Sequence, residues 1–206
     1  MMKTAIILAG GYSERFGKDK GLIFLSDKPL VVHVFEKICK IVDEIIVVVN
    51  SVGQRDIYSP LFSEETKTLV DIEDSHCSLV GALTGFMNAT GDYSVLLPCD
   101  TPFISREVIE MLFDISSNMN AVIPRWPNGY IEPLQAVYRT KSALAASKIS
   151  QEKGEKRMQS MISMLNRVRY VSTMVIREID PSLTTFFNVN TPMDLKKAES
   201  LIKKNI

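Results

Sequence analysis

TAIILAGGYSERFGKDKG, residues 4–21, reads as a short apolar run that stops abruptly at two glycines and then turns charged. Thr4 to Ala9 has no polar alternation, which is the signature of a strand buried on both faces rather than a half-exposed one. Gly10 and Gly11 follow at once; glycine reaches φ values other residues avoid and lets a backbone approach a ligand closely. Consecutive N–H groups in such a turn form a nest for an anion. Arg15, Lys18 and Lys20 add three cations within the same loop. A strand, a glycine turn and local cations together point to phosphate. The same glycines alone would equally make a plain turn.

Two commoner phosphate loops do not fit. A Walker A loop needs G-x-x-x-x-G-K-[ST], but Gly11 and Gly17 are separated by five residues and Asp19 stands where the hydroxyl belongs. The dinucleotide fingerprint G-x-G-x-x-G is also absent.

Similar apolar runs recur outward from this point. EIIVVVN (44–50), TLVDI (68–72), YSVLLP (93–98) and NAVIP (120–124) read as further buried strands. Helical segments over about 30–42, 79–89 and 105–117 separate them, so the spacing predicts βαβ crossovers and a mostly parallel sheet. PNGY (127–130) signals a turn before a strand LQAVY (134–138); helices over 140–150 and 155–166 and weak strands near 168–176 follow. TPMDLKKAESLIKKN closes the chain as a helix, with Thr191 as N-cap, Pro192 in the first helical position and Asp194 in the first turn. No repeat, low-complexity tract or linker interrupts residues 1–206, which predicts one domain.

The chain has 24 basic and 24 acidic residues, a formal balance of zero. That argues against electrostatic capture of nucleic acid or an anionic membrane, so phosphate contacts must be local. Three cysteines, Cys39, Cys77 and Cys99, form neither a CxxC pair nor an even set, which argues against a disulfide framework or structural zinc. The start, MMKTAIILAGG, is too short for a membrane span and lacks a signal-peptide plan. The expected location is cytoplasmic.

Asp100, in LLPCDTPF (96–103), falls just past the carboxyl end of a predicted strand, the edge where open parallel sheets bind ligands. A carboxylate there suits Mg²⁺, which takes one or two carboxylates together with substrate phosphates. It could equally cap a helix starting near Pro102 or Ser105. In FFNVNTP (186–192), Asn188 and Asn190 flank Val189 and would share one side of an extended segment. They read either as phosphate or metal partners or as turn-formers before the last helix. Asn50 and Asp74 would end the second strand and follow the third, although Asp71, Glu73 and Asp74 also make an ordinary acidic turn. His33 and His76 have no metal-ligand spacing, and neither a Ser-His-Asp nor a Cys-His nucleophile pattern stands out.

LAGGYSERFGKDKG, DKPLVVH (27–33), PCDTPF (98–103) and FNVNTP (187–192) occur in this order over nearly the whole chain. Together they resemble the MobA-like molybdenum cofactor guanylyltransferases. The resemblance implies a three-layer, Rossmann-like α/β nucleotidyltransferase fold with a mostly parallel, mixed sheet. It implies GTP held by Leu8, Ala9, Gly10 and Gly11, with Lys20, Asn50 and Asp74 lining the site. Asp100 would carry Mg²⁺, Asn190 would sit near the metal or the acceptor phosphate, and Arg15 and Lys20 would act on the phosphates. The implied partners are GTP and molybdopterin, with other cofactor-biosynthesis or acceptor proteins possible, and neither nucleic acid nor membrane. Related transferases act on a sugar phosphate, a cobinamide phosphate or another small phosphorylated acceptor; a nucleotide-binding module without catalysis is the reading from a different class. One departure is visible: where relatives commonly carry Gly-Pro-Leu before the third helix, this chain has Cys77, Ser78 and Leu79.

Overall fold

A computed structural model describes residues 1–72 and 77–204. Its centre is a seven-stranded sheet built from β1 (Lys3–Leu8), β2 (Glu44–Val49), β3 (Lys67–Val70), β4 (Tyr93–Pro98), β5 (Ala121–Arg125), β6 (Ala136–Arg139) and β7 (Val168–Ser172). The order across the sheet is β7-β5-β6-β4-β1-β2-β3. Strand β6 runs antiparallel to both neighbours, and the other pairings are parallel. Strands β1 and β4 sit mid-sheet, which is why Ala5 to Leu8 and Val95 to Leu97 form continuous apolar runs.

The helices are α1 (Leu30–Ile38), α2 (Val52–Tyr58), α3 (Ser78–Asn88), α4 (Arg106–Asp114), α5 (Thr140–Glu152), α6 (Met158–Ser163), α7 (Thr173–Ile176) and α8 (Pro192–Lys204). Side chains of β1 divide by the two-residue period of a strand. Ala5 and Ile7 join Val31, Val34 and Ile38 of α1 and Val108, Ile109 and Leu112 of α4 in one buried cluster. Ile6 turns the other way, to Leu79 and Phe86 of α3, Ala143 of α5 and Met161 of α6. Helices on both faces of a mixed, mostly parallel sheet give the three layers expected.

A smaller cluster, Ile23, Leu25, Leu30, Val189 and Ala198, seats α8 against the chain that follows the glycine loop. Its start is fixed by reciprocal capping: Thr191 Oγ1 accepts from the Asp194 N–H at 3.1 Å, and Asp194 Oδ2 accepts from the Thr191 N–H at 2.9 Å.

Two expectations shift. The helix expected over 155–166 is the single short α6, because Gly154 at φ +73 ends α5 and an irregular stretch intervenes. The weak strand expected near 168–176 stops at Ser172, whose hydroxyl accepts from the Met174 N–H and starts α7. A β-branched run therefore makes one helical turn.

Candidate active site

The carboxyl ends of β4, β1, β2 and β3 deliver Pro98, Leu8, Val49 and Val70 to one edge, and the residues just beyond them line a cleft of about 380 Å³. Its walls include Leu8, Gly10, Lys20, Asn50, Asp71 and Asp100.

The loop after β1 is a small hairpin. Tyr12–Ser13 pairs with Lys18–Asp19, Gly17 takes φ +63 at the turn, and the Lys20 N–H donates to Gly11 O at 3.0 Å. Gly10 and Gly11 do not use positive φ. At Gly10 the need is space, since a Cβ would fall inside the Asn50 side chain, whose Nδ2 donates to Gly10 O at 2.7 Å. At Gly11 a Cβ would meet only Lys20 Cδ, at 3.9 Å, so that position is open on the cleft side.

The folded hairpin brings Lys20 to the other two motifs. Its Nζ donates to Asp100 Oδ2 at 3.1 Å and to Asn190 Oδ1 at 2.6 Å. Asp100 is held from behind, because its carbonyl accepts from the Val189 N–H at 2.9 Å. It does not cap α4; Ser105 does, accepting from the Val108 N–H at 3.2 Å. Asn190 faces Lys20 while Asn188 is exposed. The Cys99 thiol is pushed well up, first by burial and then by the adjacent Asp100 carboxylate, so it stays a neutral wall of the cleft.

Tyr58 of α2 closes the loop from beneath. Its hydroxyl donates to Ala9 O at 3.2 Å and faces the Gly21 backbone N–H, tying together the two ends of the segment that carries Lys20. A Cβ at Gly21 would come within 2.6 Å of that oxygen. Burial pushes the phenol up, so it remains a donor across the working range. Nothing in VGQRDIY announced α2: Val52 and Ile57 are exposed, and Tyr58 is its one buried residue. Tyr58→Phe is expected to keep the fold and cost about 1–2 kcal/mol, the range for leaving a buried acceptor unpaired, with a raised nucleotide KM. Wild-type values in both a urea melt and the KM would reject the clamp.

Other expected residues fall as follows. Ala9 is fully buried, with its N–H on Val48 O and its carbonyl on Tyr58, so its side chain does not line the cleft. Arg15 is exposed and is not among the lining residues. Asp74 and His76 lie outside the described residues. His33 makes a local contact, Nε2 to Leu25 O at 2.9 Å. Asp71, read from sequence as part of an acidic turn, lines the cleft. Cys77 and Ser78 do so as well, at the start of α3.

A glycine loop, its lysine and a strand-end carboxylate converging at the carboxyl edge of a mixed α/β sheet define a nucleotidyltransferase. Residues 5–168 match the MobA-like NTP transferase domain, and the chain belongs to that family. It is 33% identical to the molybdenum cofactor guanylyltransferase of Desulfosudis oleivorans, covering 97% of this chain and 96% of that protein. It is 30% identical to a probable molybdenum cofactor guanylyltransferase of Methanosarcina mazei, covering 99% and 93% of the two. The crystal structure of molybdopterin-guanine dinucleotide biosynthesis protein A from Archaeoglobus fulgidus superposes with a TM-score of 0.84 at 30% identity, over 98% of this chain and all of that one. Among the described residues, no helix is long and apolar enough to cross a membrane.

Proposed function

We propose that this protein transfers GMP from GTP to molybdopterin, releasing pyrophosphate and forming the guanine dinucleotide cofactor, with residues 1–206 acting as one cytoplasmic nucleotidyltransferase domain. The observation that carries the reading is the meeting of Lys20, Asp100 and Asn190, brought from three distant segments to one point beside the glycine loop. The named relatives supply the acceptor and the base.

The donor set fits Mg²⁺. A cationic nitrogen already lies between two hard oxygens, Asp100 Oδ2 and Asn190 Oδ1. Among the described residues no group of three or more His, Cys, Asp or Glu gathers, so an all-protein cage is not offered and substrate phosphates would complete the shell. Asp100 would hold the ion with Asn190 beside it, and the ion would supply positive charge to the phosphate oxygens.

The remaining work is positional. Lys20 and the N–H groups at Gly10 and Gly11 neutralise the triphosphate and hold the departing pyrophosphate. Arg15 approaches the outer phosphates from the exposed rim. Asn50 holds the Gly10 carbonyl and so the shape of the turn. Leu8, with Val48, floors the cleft beneath the nucleoside. The acceptor's terminal phosphate is already ionised, so in-line attack on the α-phosphate needs no general base; orientation and charge neutralisation carry the rate.

The carbonyls of Leu8 and Ala9 each accept one hydrogen bond already, from the Cys99 N–H at 3.2 Å and from the Tyr58 hydroxyl, and each keeps a second lone pair for the donors of a base. A carboxylate beyond β3, Asp71 on the cleft wall or Asp74 after it, is the other acceptor for the guanine donors. The test is incubation with Mg²⁺, molybdopterin and equal GTP, ATP, CTP and UTP, with products read by mass. GMP incorporation is expected to exceed AMP by about 10³-fold or more, as for sites whose buried groups are left unpaired by the wrong analogue. Transfer of another nucleotide, or transfer only to a different phosphorylated acceptor, would reject the reading.

A further inference from the structure

The hairpin joining β5 to β6 carries a carboxylate held by a tryptophan. The Trp126 N–H donates to Tyr130 O at 2.8 Å, and the Glu132 N–H donates to Pro124 O at 3.0 Å. The Trp126 ring stands edge-on to Phe186 with 5.5 Å between centroids, and Gln135 Nε2 donates to Thr185 O at 2.8 Å. These two contacts seat the hairpin on the segment that leads to Asn190. Glu132 is half-buried, and its Oε1 accepts from Trp126 Nε1 at 2.6 Å. Among the described residues no hydrogen bond reaches its Oε2, and no lysine or arginine pairs with it. Burial pushes the carboxyl pKa up, and the Trp126 bond offsets only part of that rise. A carboxylate half out of water with a single donor is costly unless something else supplies donors.

The place of the hairpin in the sheet selects the partner. Because β6 runs antiparallel to β4, the start of β6 lies at the same edge as the end of β4. Leu134, two residues before β6, lines the cleft together with Pro98, Cys99 and Asp100. The glycine loop and Asn50 follow β1 and β2, on the other side of Asp100. A nucleotide held there leaves the β6 side to the molecule that attacks its α-phosphate. The hairpin stands one to two strand spacings from β4, about 5–10 Å, which puts Glu132 within reach of the far end of an acceptor whose phosphate lies at Asp100. A pterin is flat and presents N3–H and a 2-amino group side by side, two donors for one carboxylate. Its ring suits the aromatic side chains beside Glu132, Trp126 and the exposed Tyr130.

We infer that Glu132 is a binding residue for the acceptor: its carboxylate, aimed by Trp126, takes the N3–H and 2-amino donors of the pterin ring while the acceptor's phosphate lies at Asp100. The inference rests on the proposed transfer to molybdopterin. A glutamine at this position would still accept from Trp126, but it would meet the two ring donors with one acceptor, one competing donor and no charge.

Trp126 is the only tryptophan in the chain, so binding can be read without turnover. The probes are 6-hydroxymethylpterin and lumazine, which keeps the ring system but carries an oxygen in place of the 2-amino group. Each is titrated into nucleotide-free protein, and quenching of Trp126 fluorescence is corrected by the same addition to free tryptophan. Wild type is expected to bind the pterin more tightly than lumazine. Glu132→Gln should raise the pterin Kd about tenfold, the effect of one charge-assisted hydrogen bond, and move the lumazine Kd by less than about threefold. In turnover the same variant should raise the molybdopterin KM about tenfold, with GTP KM and kcat within about threefold. No quenching of wild type by the pterin would overturn the inference, as would an unchanged pterin/lumazine ratio in folded Glu132→Gln. An equal rise for both probes, or a matching rise in GTP KM, would mean that the variant disturbs the hairpin as a whole and would overturn it too. If Glu132→Gln does not fold by circular dichroism, Glu132→Asp, which withdraws the carboxylate by one methylene, is judged by the same ratio. A wild type that transfers nucleotide only to a different phosphorylated acceptor would reject the molybdopterin reading itself, before any variant is considered.

Discussion

Asp100→Asn is expected to fold normally and to lose about 100-fold or more in turnover. Transition-state charge stabilised by a carboxylate-held cation is worth several kcal/mol, and one misplaced electrostatic partner in a pre-organised site typically costs 10²–10³ in rate. Folding should survive because asparagine has the same shape and its amide oxygen can still accept from Lys20. The backbone bond from the Val189 N–H to the residue 100 carbonyl does not involve the side chain. The loss should fall on kcat more than on KM, since an ion held by Asp100 would act on charge that develops during transfer. Pyrophosphate release followed against Mg²⁺ concentration provides the measurement. A folded variant with near-normal, Mg²⁺-dependent activity would remove Asp100 from the metal site.

What makes Asp100 legible in sequence is its place after a short apolar run, Val95 to Leu97, and the same holds for Gly10 after Ala5 to Leu8. Buried parallel strands advertise their ends, and the carboxyl edge follows from those ends. What lies between the strands is harder to read. Three cations crowd residues 15–20, but only folding of the hairpin decides that Lys20 turns inward while Arg15 stays exposed. The acidic stretch after β3 poses the same problem. Strand ends are uncertain by a residue or two, and the place of Asp71 on the cleft wall involves a hydrogen bond from Thr84, thirteen residues further on. Helix α2 is silent because one tyrosine, not an apolar stripe, attaches it, yet that tyrosine ties the two ends of the loop. At Gly10, chemistry suggested an unusual φ where the fold instead needed room for Asn50.

Lys20→Ala is expected to move two affinities in opposite directions. With nucleotide, the variant loses an ammonium at a phosphate cluster, about 1.5–3 kcal/mol for a hydrogen bond to a charged group, or roughly 10- to 150-fold in GTP Kd. Without nucleotide, the Lys20 Nζ lies against Asp100 Oδ2 at 3.1 Å and Asn190 Oδ1 at 2.6 Å, where a divalent ion would compete for the same oxygens. Two cations about 4 Å apart repel by roughly 4 kcal/mol per unit-charge product at an effective dielectric constant near 20. The Lys20 side chain is 28% exposed, so the ammonium can swing away and only part of that repulsion is felt. Removing it should therefore tighten Mn²⁺ binding to the nucleotide-free protein by about tenfold, as read by electron paramagnetic resonance. If the triphosphate draws Lys20 off the carboxylate, GTP and metal should promote each other's binding in the wild type, and by linkage the promotion must be equal in both directions. That mutual effect should shrink in Lys20→Ala. Arg15→Ala, removing an exposed cation outside the cleft, should leave nucleotide-free Mn²⁺ affinity unchanged and cost GTP less than Lys20→Ala does. Unaltered Mn²⁺ affinity in Lys20→Ala, together with unaltered GTP affinity, would mean that Lys20 serves only to join the loop to Asp100 and Asn190.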